Sequence, residues 1–180
     1  FPLDSTESVD TDSDGIGDNA DADDDGDGLL DSEESIAGTN PFSADTDSDG
    51  MNDLFEVTNN LDPNSDDASL DTDGDGLVNL AEFKANSDPN KDDVPPTLTP
   101  PGDSQVTSTG ILTDVSVGVA SSEDFKDGVI TPSASNLGPF PVGINEVIWS
   151  ASDLAGNKSS ATQSITVLPF IETLSVGRVS

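Results

Sequence analysis

The 180-residue chain carries 37 acidic and 5 basic side chains, a net charge of −32, and neither Cys nor His. Such an excess of negative charge repels nucleic acid and anionic membranes, so neither is expected as a partner. Without Cys and His there are no disulfides, no zinc sites of the usual N/S type, no thiol nucleophiles and no His-based triads. No apolar run approaches the roughly 18 residues of a membrane span, which argues against membrane insertion, and no signal peptide is visible. The chain begins Phe1-Pro2 rather than Met, which reads as a segment of something longer. Charge is unevenly placed: residues 1–93 hold 29 acids and 2 bases, residues 94–180 hold 8 and 3. Self-repulsion and sparse apolar residues would keep the first half from collapsing without counterions, and metal is the obvious remedy.

Residues 1–9 form a polar lead-in without periodicity. The run from Asp10 to Asp21 then places Asp10, Asp12 and Asp14 at positions 1, 3 and 5 of a twelve-residue loop, Gly15 at 6, Ile16 at 7, Asp18 at 9 and Asp21 at 12. Each slot has a physical reason. Calcium takes about six to eight hard oxygen ligands, alternate side chains on a tight loop converge on one point, and Gly makes the sharp turn. Position 7 offers its backbone carbonyl, so an apolar side chain there is no objection. Position 12 ordinarily closes the shell with a bidentate Glu; Asp21 reaches less far, and a tighter or weaker site is expected.

Residues 21–34 allow two registers. A start at Asp21 would put Leu29 at position 9 and Ser32 at position 12, neither of them an anionic ligand. A start at Asp23 gives Asp23, Asp25, Asp27, Gly28, Leu29 (carbonyl), Asp31 and Glu34, and this register is preferred. Asp21 then stands just before the new loop, where one carboxylate can serve two neighbouring ions. The third loop is the most complete: Asp45, Asp47, Asp49, Gly50, Met51 (carbonyl), Asp53 and Glu56. A merely solvated acidic run would not fix Gly and Glu at these offsets. The fourth has Asp71, Asp73, Asp75, Gly76, Leu77 (carbonyl), Asn79 and Glu82, with a neutral residue in a slot that often works through water. At least four calcium ions are expected.

The loops sit in a larger repeat. Eighteen residues after the starts at 23, 45 and 71 lie Pro41, Pro63 and Pro89, each preceded by Asn or Asp, and four residues further on lie Asp45, Asp67 and Asp93. Offsets that recur three times imply a fixed local geometry. Between loop and Pro there is room for about two helical turns before the Asn/Asp-Pro step disfavours helix. Leu30, Ile36, Phe55, Val57, Leu80 and Phe83 are expected to form small satellite clusters, too little for a domain core.

Over residues 10–93 this pattern, Asp-x-Asp-x-Asp-Gly-x-x-Asp-x-x-Asp/Glu followed by Asn/Asp-Pro, resembles thrombospondin type 3 repeats in their bacterial form. The resemblance implies a chain wrapped around a row of calcium ions in place of a hydrophobic core, and makes Asp66, Asp67, Asp92 and Asp93 secondary ligands. The Cys pairs of the animal versions are absent here, so their cross-links do not carry over. Dockerins also use two such loops about 22 residues apart, but their helices are longer and this chain has more than two loops.

Residues 92–97 mark a boundary, where charge density falls and Pro95-Pro96 stiffens the joint. Beyond it the texture becomes β. Val115, Val117 and Val119 alternate with polar or small residues, Val147, Trp149 and Ala151 repeat the signal, and Ile165 and Val167 do so again. Lys126-Asp127-Gly128, Asn136-Leu137-Gly138, Pro141-Val142-Gly143 and Ala155-Gly156-Asn157 supply turns between them. Short strands in this number point to an antiparallel, immunoglobulin-like β-sandwich. The run from Gly138 to Asn157, with Pro95-Pro96-Thr97-Leu98, resembles a hyalin-repeat domain over residues 94–168. That resemblance implies extracellular proteins and adhesion, but no shared ligand residues. Trp149 alternates within a strand and is expected in the core rather than stacked on a sugar. Residues 169–180, with Phe170, Ile171 and Leu174, form a tail, an edge strand or the start of a further module.

The expected fold class is thus mostly β and irregular: calcium-wrapped EF-hand-like loops with very short helices, then the sandwich. The expected function is a non-enzymatic calcium-binding spacer of a secreted or cell-surface bacterial protein. The alternative is an adhesion or targeting module, appended to a secreted enzyme, that meets other extracellular proteins or polysaccharide. Paired carboxylates can hydrolyse glycosides, but nearly all the acids here fall in metal-loop slots.

Overall fold

A computed structural model describes residues 8–171, so most of the lead-in and the tail from residue 172, Leu174 included, lie outside the described residues. The chain divides into two compact units, Phe1–Asp93 and Val94–Ser180.

The first unit is built of tight loops and three short helices, α1 (Asp31–Ala37), α2 (Asp53–Asn59) and α3 (Asn79–Ala85). Each helix begins at position 9 of its loop, so the position-12 Glu falls in the first turn and points back over the loop. Each ends on a residue in the left-handed region, Gly38, Asn60 and Asn86, which stops the helix after two turns. The glycines at position 6, Gly15, Gly28, Gly50 and Gly76, all have φ between 99 and 102°, a backbone that side chains with a Cβ adopt only under strain. Apolar packing is thin. Leu29 and Met51, both at position 7, are buried together with Ala68, and the rings of Phe55 and Phe83 meet at 5.0 Å and 59°. Leu30, Ile36 and Val57 depart from the expected clusters: all three are exposed, Ile36 by 88%, because two-turn helices that bury their position-12 Glu have little further face to turn inward.

The second unit contains β1 (Thr97–Thr99), β2 (Ser104–Thr107), β3 (Leu112–Thr113), β4 (Ser121–Asp124), β5 (Gly128–Ile130), β6 (Ser133–Ala134), β7 (Phe140–Pro141), β8 (Gly143–Ser152) and β9 (Lys158–Leu168). They form sheets of order β1-β4-β5, β2-β9-β8-β6 and β3-β7. The β8–β9 hairpin is the scaffold, paired from Gly143↔Val167 to Ser152↔Lys158 around the Ala155-Gly156-Asn157 turn. Its inward residues Val147, Trp149, Ile165 and Val167 form the core with Val117, Ala120 and Phe140. Alternation delivers this burial directly, since successive side chains of a strand point to opposite faces.

Two expectations are corrected. β2 pairs with β9 in parallel, through Ser104↔Ile165 to Thr107↔Leu168, so the unit is not wholly antiparallel. The long stretch of chain between these strands permits a crossover that no hairpin would allow. Residues 115–119 form no strand: Val117 is in the core and Val115 packs on it, but Val119 is 89% exposed. Gly118, at φ 79°, turns the chain between them, and the Val117 carbonyl accepts from the Gln163 side chain instead of a neighbouring strand.

Candidate metal centre

Four acidic loops share one internal hydrogen-bond ladder. The N–H of position 5 donates to Oδ1 of position 3 in every loop: Asp14 to Asp12, Asp27 to Asp25, Asp49 to Asp47 and Asp75 to Asp73, at 2.9–3.1 Å. The N–H of position 7 donates to Oδ1 of position 5: Ile16 to Asp14, Leu29 to Asp27, Met51 to Asp49 and Leu77 to Asp75, at 2.7–3.0 Å. In the last three loops position 1 accepts from at least two further amides, as Asp23 does from Gly26 and Gly28, Asp45 from Ser48, Asp49 and Gly50, and Asp71 from Gly74 and Gly76. These bonds curl the backbone and turn three carboxylates toward one point. Asp10, Asp12 and Asp14 each bring an oxygen within 4.8 Å of the others, as do Asp23, Asp25 and Asp27, Asp45, Asp47 and Asp49, and Asp71, Asp73 and Asp75.

Glu34, Glu56 and Glu82, at position 12, are completely buried. Oε1 of Glu34 accepts from the Thr39 hydroxyl at 3.3 Å, but its Oε2 and both oxygens of Glu56 and Glu82 have no hydrogen-bond partner. Buried carboxylate oxygens without donors are costly, and here the neighbours are other carboxylates. Burial pushes Glu34 up to about 7, with the charges of Asp25, Asp27 and Asp31 adding to it. It pushes Glu56 to about 8, reinforced by Asp49, Asp47, Asp67 and Asp53, and Glu82 to about 7, reinforced by Asp73, Asp75, Asp93 and Asp71. Asp25 and Asp47 are raised as well, again chiefly by burial. A cation at the focus of each loop removes both penalties at once. The donors are all hard oxygens, a set that suits calcium and not the softer transition metals.

Position 9 faces the second residue of its own loop. Both oxygens of Asp18 accept from Thr11, both oxygens of Asp53 accept from Thr46, and Asn79 Oδ1 accepts from the Thr72 hydroxyl. Asp31 accepts from the N–H of Asp24 at 3.0 Å. The repeated Thr at position 2 was the available signal for this brace, and ligand spacing passes over it. The same spacing passes over Asp24, which is buried.

The first loop is the variant. No helix follows it, and Asp21 Oδ1 accepts from the N–H groups of Ala22 and Asp23 at 2.7 and 3.1 Å. Asp10 Oδ1 is buried there without a hydrogen-bond partner.

Successive repeats are tied through position 5. Asp49 Oδ2 accepts from the N–H of Asp67 and of Ala68, Asp75 Oδ2 from that of Asp93, and Asp27 Oδ2 from that of Leu54. The first of these ties brings carboxylate oxygens of Asp49, Glu56 and Asp67 within 4.8 Å of one another. Asp93 adds its charge beside Glu82, and Asp92 is buried, whereas Asp66 is exposed. Leu54 also covers a glycine: a Cβ at Gly28 would meet its Cδ2 at 2.9 Å.

Comparison with curated proteins returns no match. Residues 23–44 and 71–91 match the family model of the bacterial TSP3 repeat, a calcium-binding structural repeat that occurs in extracellular proteins and is not catalytic. The loops that begin at Asp10 and Asp45 lie outside the matched residues, and share with the matched segments the ladder described above.

Proposed function

We propose that the protein is a non-enzymatic spacer of a secreted or cell-surface protein, stiffened by calcium over residues 10–93. The observation that carries this reading is the set of buried position-12 glutamates whose oxygens lack donors and face converging aspartates. In each loop positions 1, 3, 5 and 12 hold the ion with the carbonyl of position 7, and position 9 braces the loop. Asp67 and Asp93 join from the next repeat. Extracellular calcium modules work at a Kd of about 10⁻⁴–10⁻³ M, which suits calcium outside a cell. Among the described residues no helix is long and apolar enough to cross a membrane. Residues 94–168 act as an immunoglobulin-like sandwich of hyalin-repeat type; one core shared by β8, β9, β7 and the β1 segment supports that reading.

A second reading, an interaction module, is favoured by a groove of about 910 Å³ on the β1-β4-β5 sheet, where Val119, Phe125 and Val129 are exposed. Immobilised extracellular proteins and polysaccharides, probed with and without calcium, separate binder from spacer.

Metal analysis of the protein after dialysis against millimolar calcium tests the primary reading. At least four ions per chain are expected, one for each loop. Fewer than four overturn the assignment of every loop as a site.

A further inference from the structure

We propose that the outer face of the β1-β4-β5 sheet binds a neutral polysaccharide, with Phe125 as its stacking platform. The proposal rests on the second reading above and deepens it, because it names the ligand such an interaction module takes. Alternation builds the face. Leu98 packs against the core and Ser122 and Asp124 are buried, so Thr97, Thr99, Ser121 and Glu123 point outward and are exposed. Register then aligns them. Thr97, Glu123 and Val129 stand side by side across the three strands, and Thr99 lies beside Ser121. Neighbouring strands are about 4.8 Å apart and next-but-one residues about 7 Å, so exposed hydroxyls recur on the scale of a sugar ring. Thr131, also exposed, continues them past β5, and all these residues border the groove of about 910 Å³.

The chemistry of this lining selects the occupant. A Ser or Thr hydroxyl both donates and accepts, and the Glu123 carboxylate accepts, which matches the hydroxyl groups of a sugar. Phe125, in the turn between β4 and β5, lines the same groove and is 74% exposed. The negative face of its ring attracts the C–H face of a sugar. Trp149 is buried in the core, so the platform falls to Phe125. Protein interfaces make the opposite choice: they concentrate Trp, Tyr, Met and Arg and are depleted in Ser and Glu. Charge decides which polysaccharide fits. Glu123 sits on the face, and residues 94–180 carry 8 acids against 3 bases, so an acidic chain is repelled.

The test is affinity electrophoresis of the full chain, with calcium, through gels containing hydroxyethylcellulose, galactomannan or xylan, and alginate as the acidic counterpart. At least one neutral polysaccharide should retard the protein, and alginate should not. Phe125→Ala should weaken that binding by about tenfold, the worth of a lost ring contact. Phe170→Ala removes an exposed ring outside this groove and should leave binding unchanged. Trp149 emission checks that both variants fold. Retention that survives Phe125→Ala overturns the proposal, and so does equal retention by alginate. Immobilised fibronectin and collagen supply the other arm. Phe125-dependent capture on either, with no polysaccharide bound, overturns the polysaccharide assignment and keeps the interaction reading. Binding to none of these probes overturns both and leaves the spacer reading standing.

Discussion

Thr46 holds the Asp53 carboxylate by both oxygens, through its backbone N–H at 2.9 Å and its hydroxyl at 2.7 Å. The pair clamps position 2 to position 9 and sets the curvature on which the converging aspartates depend. Asn79 does the same work in the last loop with one amide oxygen, and its Nδ2 donates to Asp67. Asp53→Asn should therefore weaken calcium binding by no more than about tenfold, the worth of one hydrogen bond. Asp53→Ala removes both acceptors and should cost about 10–100-fold. Asp47→Ala, which deletes an ion ligand, should abolish that site. Calcium titration of the three variants checks the order, and an Asp47→Ala protein that titrates like Asp53→Asn contradicts it.

Chelation should separate the two units. The first has few buried apolar side chains to oppose its charge, so folding and calcium binding there are one equilibrium. The second keeps its own core of Val147, Trp149, Ile165 and Val167. After complete calcium removal, residues 10–93 should become protease-sensitive and the scattering radius should grow, while Trp149 emission stays that of a buried indole. Repeats that remain compact and resistant would make calcium an accessory.

Acidity should act with opposite sign on the two states. In the folded metal-free form burial pushes Glu34 and Glu82 up to about 7 and Glu56 up to about 8, against an ordinary 4.5. The folded metal-free form then binds more protons than the unfolded chain, so this contribution to stability is present in full below pH 4.5 and lost as pH rises through 7–8. With calcium, protons compete with the ion, so affinity falls as pH drops below about 8. Circular dichroism from pH 5 to 9 should show the chelated repeats gaining order toward acid and the calcium-loaded repeats losing it. Parallel trends in the two states would refute the assignment of these glutamates.

Gln163 is the polar pin of the second unit. Fully buried, it accepts from Trp149 Nε1–H at 3.1 Å and donates to the Gly102 and Val117 carbonyls at 2.8 and 2.9 Å. Gln163→Leu keeps the volume but strands two buried polar groups, the Trp149 Nε1–H and the Val117 carbonyl, at about 1–3 kcal/mol each before relaxation. Urea unfolding followed by Trp149 emission in chelator should show a loss of at least about 2 kcal/mol. A change under about 0.5 kcal/mol, typical of a surface site, would mean that water replaces the amide.

Local chemistry explains what could be read from the sequence. Asp at alternate positions, Gly at 6 and Glu at 12 each answer a demand set within twelve residues, so Asp45, Asp47, Asp49, Gly50 and Glu56 announce the loop unaided. Alternation in Val147, Trp149 and Ala151 is equally local, because the pleat alone decides which side faces inward. What needed the tertiary structure was every relation between distant residues. Asp67 meets Asp49 and Glu56 only because its amide and that of Ala68 cap the Asp49 carboxylate from the next repeat. Val115 and Val117 carry a strand's alternation but no strand, since Gly118 turns away before a partner is met. The parallel pairing of β2 with β9 joins residues 61 apart in the chain, and nothing in either segment encodes direction. Asp24 stands where the other loops carry Thr, and only the tertiary structure shows that it is buried, with its N–H on Asp31 Oδ1. Ligand type and spacing are properties of the chain; which oxygens are left without a donor is decided by packing, because it depends on every neighbour at once.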